Sequence, residues 1–215
     1  MPPAKSGIAD YSAVLVDHLR QGAEVDVVDA PRPGFDPAAF DAVLYQIGNN
    51  GYHDYVYETA VAHPGIVVLH ESNLHHLLTD LTIRRQDWDG YVEACAFDGG
   101  AAARAFAERV RRLEVGPDYE GVPMLRRLLE SAKAVIVHSR AVESDVRGAG
   151  FNGPIARIPH GAWLPDGHRL DFRQRLGLDE STPLIGVFGF LKPYNASPKA
   201  SAPCAASSAS APTPK

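Results

Sequence analysis

The chain has 215 residues, of which 45% are hydrophobic and 22% charged, a composition typical of globular proteins. At about 100–200 residues per domain, this length predicts one full domain plus a remainder. The net charge of -5 argues against a nucleic-acid-binding face. The sequence has no run of about 18 apolar residues, so it predicts no transmembrane segment.

At the N-terminus, Met1–Asp10 has no apolar core of a secretory signal. With only two cysteines, no disulfide framework is possible, so we expect a reduced, cytoplasmic protein. Ser6-Gly7 precedes a predicted helix, Ile8–Arg20. Free backbone N–H groups at a helix start bind phosphate, so Gly7 is a candidate, although one glycine is more often a turn residue.

Short β-branched runs then alternate with segments of helical spacing. The predicted strands are Glu24–Asp29, Asp41–Ile47, Gly65–His70, Ala134–His138, Ile155–Pro159 and Pro183–Phe190. The predicted helices are Tyr52–Ala62, Leu74–Arg84, Trp88–Leu113 with a break at Gly99-Gly100, Pro123–Ala132 and Arg140–Gly150. This alternation predicts an α/β fold with a Rossmann-like, doubly wound parallel sheet.

The two ends of the chain depart from that pattern. Only Met1–Lys5, with two prolines, precedes the first helix, so the first strand of a Rossmann-like unit is missing. Asn195–Lys215 contains seven Ala, five Ser and four Pro and no Leu, Ile, Val or aromatic residue. A segment of this kind buries too little apolar surface to offset its ordering entropy, so we expect a disordered tail.

Several polar or glycine residues follow the predicted strands, where open α/β sheets bind ligands. Each alone has an ordinary explanation as a turn or cap, but together they predict a cleft. The candidates are Gly7, Asn50, His70, Ser139, Arg140, His160 and Gly161.

His70, Glu71, His75 and His76 lie close together in sequence, yet they do not have the His-Glu-x-x-His spacing of a zinc helix. We favour His70 as a substrate-pocket residue and predict no metal. The nucleophile elbow, the P-loop and the Gly-x-Gly-x-x-Gly motif are all missing from the sequence. Serine hydrolase, nucleoside triphosphatase and ordinary dinucleotide dehydrogenase functions therefore lose their main support.

Five segments together resemble the retaining family-4 glycosyltransferases of the GT-B fold, in the order of that family. They are PPAKSGIADYS (2–12), LHE (69–71), AVIVHSRAVESDVR (134–147), IARIPHGAW (155–163) and PLIGVFGFLKPY (183–194). The resemblance implies an N-terminal, acceptor-side Rossmann-like domain over residues 1–165. A linker and the first strand of the donor domain would span 166–194, and the tail 195–215.

The resemblance also implies roles for the candidate residues. Gly7 would lie near the donor phosphates and acceptor, and His70, the expected catalytic residue, would approach the transferred sugar. The donor- or acceptor-binding residues would be Asn50, Ser139, Arg140, His160, Gly161 and Gly189. The implied partners are a nucleotide-sugar donor and a glycan or lipid-linked acceptor. A lipid-linked acceptor would be compatible with peripheral membrane contact. The resemblance implies no cofactor.

Departures from the family limit the expected activity. The family has a strand before the opening loop, and a basic residue where Asn195 stands, followed by most of the donor site. We therefore expect a chain truncated at both ends and inactive alone. The alternatives are a noncatalytic module that binds glycans or nucleotides and, less favoured, a hydrolase using a metal at His70, Glu71 and His75.

Overall fold

A computed structural model describes residues 7–161 and 172–185 of the chain. The chain divides into two compact units, Met1–Ala162 and Trp163–Lys215. Gly189, the residues before Gly7 and the tail from Asn195 lie outside the described residues. The predictions made for them, and the predicted domain boundary at residue 165, stay predictions.

The first unit is an α/β domain with a four-stranded, all-parallel sheet. Its strands are β1 (Leu44–Ile47), β2 (Ile66–Leu69), β3 (Ala134–Val137) and β4 (Ile155–Arg157), in the order β1-β2-β3-β4. This arrangement is consistent with the predicted Rossmann-like fold. In a doubly wound sheet, the order of the strands across the sheet also reverses at one point. The four described strands follow one another across the sheet in chain order, so that reversal stays a prediction.

The helices of this unit lie close to the predicted ones. They are α1 (Gly7–Leu19), α2 (Asp54–Ala62), α3 (His75–Leu81), α4 (Trp88–Arg111), α5 (Arg126–Ser131) and α6 (Arg140–Gly148). The predicted break in the long helix is confirmed, because Gly100 interrupts α4 with a φ of 69° and a ψ of -153°, a conformation that glycine alone adopts readily. No helix in the described ranges is long and apolar enough to cross a membrane. The second unit contains one described helix, α7 (Phe172–Leu176), which we did not predict.

The core lies on one face of the sheet. Alternate residues of a strand lie on the same face of a sheet. One set of alternate positions packs against residues of α2 to α6, and it includes Tyr45, Ile47, Val135 and Val137. The other positions form a second face, on which Gln46, Val68 and Ile136 lie side by side in register. Gln46 on this second face bonds to His70, the residue after β2.

Two predicted strands are not formed in the described residues. Glu24–Asp29 was wrong: it has no regular structure, its valines are only half-buried, and Asp26 instead pairs with Arg32 at 2.7 Å. Its acidic residues stay in water, so pairing it with the sheet would bury too little apolar surface to be favourable. Pro183–Ile185, the described part of Pro183–Phe190, is not a strand either, and the rest of that segment lies outside the described residues.

Candidate functional site

Three histidines meet at the edge of the sheet where the strands end, which we call the carboxyl edge. Leu69 of β2 pairs with Val137 of β3, so the residues that follow, His70 and His138, leave the sheet side by side. His160 comes three residues after the end of β4. One ring nitrogen from each imidazole lies within 4.8 Å of the other two. We call these three residues the histidine cluster.

In two of the rings, a hydrogen bond from one nitrogen fixes the orientation of the ring. His138 donates from Nδ1 to the carbonyl oxygen of Ile158 at 2.8 Å, and His70 donates from Nε2 to Oε1 of Gln46 at 2.9 Å. Because an imidazole with one N–H has a lone pair on its other nitrogen, His138 presents Nε2 and His70 presents Nδ1 as acceptors. Nδ1 of His70 lies 3.3 Å from Nε2 of His160. Nε2 of His138 is buried and has no hydrogen-bond partner among the described residues.

Tyr11 of α1 packs against all three rings of the cluster. Its ring centroid lies 5.2 Å from that of His70, 5.3 Å from that of His138 and 4.6 Å from that of His160, with the rings steeply inclined. Inclined aromatic pairs at such separations are favourable contacts. The opening helix is therefore held at the carboxyl edge by the same rings that form the site.

Glycine at position 48 allows this close approach of α1 to β1. A Cβ at Gly48 would contact Ile8 of α1, and it would lie 2.8 Å from Nε2 of His53. No side chain fits there without displacing a neighbour. His53 in turn donates from Nδ1 to the carbonyl oxygen of Gln46 at 3.0 Å. Both His53 and Ile8 of α1 therefore pack against the end of β1.

The environment keeps His70 uncharged at neutral pH and disfavours the charged form of His160. Burial, followed by the positive charges that His138, His160 and His53 would carry, lowers the pKa of His70 from 6.5 to about 4. Burial and His138 also lower the pKa of His160. Neutral rings offer lone pairs, so the site is suited to accept hydrogen bonds from hydroxyl groups or to ligate a cation.

Of the predicted site residues, the structure brings His70 and His160 together and gives two others structural tasks. Asn50 caps a short 3-10 turn by accepting from the backbone N–H of Tyr52 at 3.0 Å. Ser139 caps α6 by accepting from the backbone N–H of Val142 at 3.2 Å. Their roles in ligand binding stay predictions.

The remaining predicted residues that the structure describes are exposed. Gly7 begins α1, one turn before Tyr11, and Arg140 is the first residue of α6. Gly161 follows His160 directly, and a Cβ there would meet nothing within 4 Å. Their positions are compatible with a ligand at the carboxyl edge, but no contact to the histidine cluster distinguishes them.

The considered metal group at His70, Glu71 and His75 does not form. His75 is fully buried, and its two nitrogens bond to the carbonyl oxygen of Val122 at 2.8 Å and the hydroxyl of Tyr91 at 3.0 Å. Glu71 accepts from Nδ2 of Asn49 at 3.2 Å. His70 instead joins His138 and His160, the one group of three or more potential metal ligands in the part of the chain that the structure describes.

Sequence reasoning missed three residues of the site: Tyr11, Gln46 and His138. Tyr11 looks like one more apolar residue on a helix stripe, and Gln46 like a polar residue within a strand. His138 is the last residue of a predicted strand, as His70 is, and this shared position was the available signal. Because strand register is not visible in the sequence, nothing there shows that the two strand ends are adjacent.

Comparison with protein-family models, with curated proteins and with solved structures finds no significant match to this chain.

Proposed function

We propose that the chain is the acceptor-side domain of a retaining, GT-B-type glycosyltransferase that uses a nucleotide-sugar donor, and that it is inactive without a donor-binding half. The single observation that carries the proposal is the convergence of four separate segments. Tyr11 from the opening segment meets three histidines at the carboxyl edge: His70 from the second segment, His138 from the third and His160 from the fourth. These are segments on which the resemblance rests.

The chemistry of the site supports this proposal. A retaining transfer passes through an oxocarbenium-like transition state while a nucleoside diphosphate leaves, so the protein acts by positioning and electrostatic stabilisation. The half-buried, neutral imidazole of His70 offers a hydrogen-bond acceptor to a sugar hydroxyl without placing a positive charge beside the forming cation. The exposed ring of His160 borders the same space.

Ligand binding is the first test. Saturation-transfer NMR of the full chain with UDP-, GDP- and ADP-sugars and with the corresponding free sugars should show contact with at least one of them, and the signal should fall in His70→Ala. His63→Ala is the matched control, because the exposed His63 precedes β2, at the opposite edge of the sheet from His70. Binding of none of these compounds, or equal loss in both variants, would contradict the proposal.

Transfer is the second test, and it separates an enzyme domain from a binding module. The full chain with a labelled donor should give no product by itself. Addition of the donor-binding half of a family-4 glycosyltransferase should restore transfer that depends on His70. Binding that persists without any transfer under these conditions would favour the noncatalytic module.

A further inference from the structure

We propose that the histidine cluster is a zinc site, in which His70 Nδ1, His138 Nε2 and one ring nitrogen of His160 bind a single Zn²⁺. The proposal concerns a metal site and goes beyond the proposed transferase function. It rests on the three imidazoles alone, and Zn²⁺ would compete with a sugar hydroxyl for the Nδ1 lone pair of His70, so the two proposals are tested separately.

The directions of the lone pairs are the first support. The Nδ1–H of His138 is committed to the carbonyl of Ile158, so its lone pair is on Nε2, which is buried and has no hydrogen-bond partner among the described residues. The Nε2–H of His70 is committed to Gln46, so its lone pair is on Nδ1. Metal-binding histidines typically donate their second N–H to a carbonyl or carboxylate in this way, which fixes the tautomer and the ring orientation.

The spacing of the nitrogens is the second support. Two nitrogens at 2.0–2.1 Å from a tetrahedral zinc ion are separated by about 3.3 Å. Nδ1 of His70 and Nε2 of His160 lie 3.3 Å apart, and one ring nitrogen from each of the three imidazoles lies within 4.8 Å of the other two. The widest pair has to approach by no more than about 1.5 Å, which is within the reach of ring rotation.

The surroundings decide which kind of site this is. Three histidines are a ligand set that suits zinc, and imidazole nitrogen suits Zn²⁺ better than it suits Mg²⁺ or Ca²⁺. His70 and His138 are half-buried under Tyr11, whereas His160 is exposed. One side of the ion would thus be closed by an aromatic ring and the other open to water, as in sites that keep a fourth position for water or a ligand oxygen.

Metal titration of the full chain tests the proposal directly. After removal of metals with a chelator, the chain should bind one Zn²⁺ per molecule in calorimetry. Co²⁺ should give the intense visible absorption of tetrahedral coordination, and Zn²⁺ should displace it. Circular dichroism of each protein establishes that the fold is retained.

Variants of the ligands decide the outcome. His138→Ala and His160→Ala should each weaken Zn²⁺ binding by about 100-fold or more, and Gln46→Leu by about 10-fold through loss of the bond that orients His70. His63→Ala should bind like the parent chain. If His138→Ala does not fold, the exposed His160 decides the matter through His160→Ala. The absence of stoichiometric binding, or binding that is unchanged in His160→Ala, would overturn the proposal.

Discussion

Two histidines five residues apart, both after the end of β2, show how differently the same side chain is used. His75 begins α3 and is fully buried, with both ring nitrogens bonded to the core. His70 directly follows β2, and its Nδ1 lies 3.3 Å from Nε2 of His160 rather than against a partner in the core. The two rings differ in what holds the second nitrogen: core groups hold both nitrogens of His75, whereas the second nitrogen of His70 contacts another histidine at the edge of the sheet. The nature of that second partner, more than burial, separates a structural histidine from one that is able to bind a ligand.

The largest expected effect is on stability, through His75. His75→Ala leaves a cavity and removes the partners of the Tyr91 hydroxyl and the Val122 carbonyl, so the free energy of unfolding should fall by about 3–5 kcal/mol. His70→Ala should cost less, about 1–2 kcal/mol, since that ring is only half-buried and loses one bond to Gln46. Urea denaturation of both variants measures the difference. Equal losses would mean that the two histidines do not differ in the way proposed.

The next effect is on the pH dependence of stability, through His70. Its pKa is about 4 in the folded chain and 6.5 when unfolded, so the unfolded state binds the proton more tightly. The contribution is present above pH 6.5 and is lost as the pH falls toward 4. Full conversion of the pKa shift gives about 3 kcal/mol of destabilisation by acid, and the actual loss should be smaller because solvent screens the charge on this half-buried ring.

Denaturation of the metal-free chain at several pH values checks this expectation. In His70→Gln, the part of the slope that belongs to His70 between pH 6.5 and 4 should disappear. The lowered pKa values of His53, His75 and His160 act in the same direction, so a smaller slope should remain. An identical slope in the parent chain and in His70→Gln would contradict a buried, neutral His70.

The smallest effect concerns Ser139, which follows His138 and caps α6. Ser139→Ala should lower the free energy of unfolding by about 1 kcal/mol, whereas Ser139→Asp should retain most of it because an aspartate caps equally well. Thermal or urea denaturation measures both variants. If Ser139 also binds a ligand, as the resemblance implies, then Ser139→Asp should reduce nucleotide-sugar binding at unchanged stability. Normal binding by Ser139→Asp would leave Ser139 with the cap alone.

The sequence was informative where local patterns are strong. Runs such as AVIV and IVVL are apolar at every position, and the segments between them have apolar residues at helical spacing. The four described strands and most helix bounds follow from these patterns. Glu24–Asp29 misled because its alternation of valine and acidic residues fits a strand locally. Whether a segment joins a sheet depends on a neighbour to pair with and on a face to bury, and neither is encoded in six residues.

The sequence by itself determined the α/β class, the parallel sheet and the presence of polar residues after the strands. Tertiary structure alone decided which of them meet. Leu69 pairs with Val137, so His70 and His138 become neighbours, and the loop after β4 brings His160 to them. Secondary structure follows from side-chain periods of two or 3.6 residues, whereas a site depends on strand register and order, which long-range pairing sets.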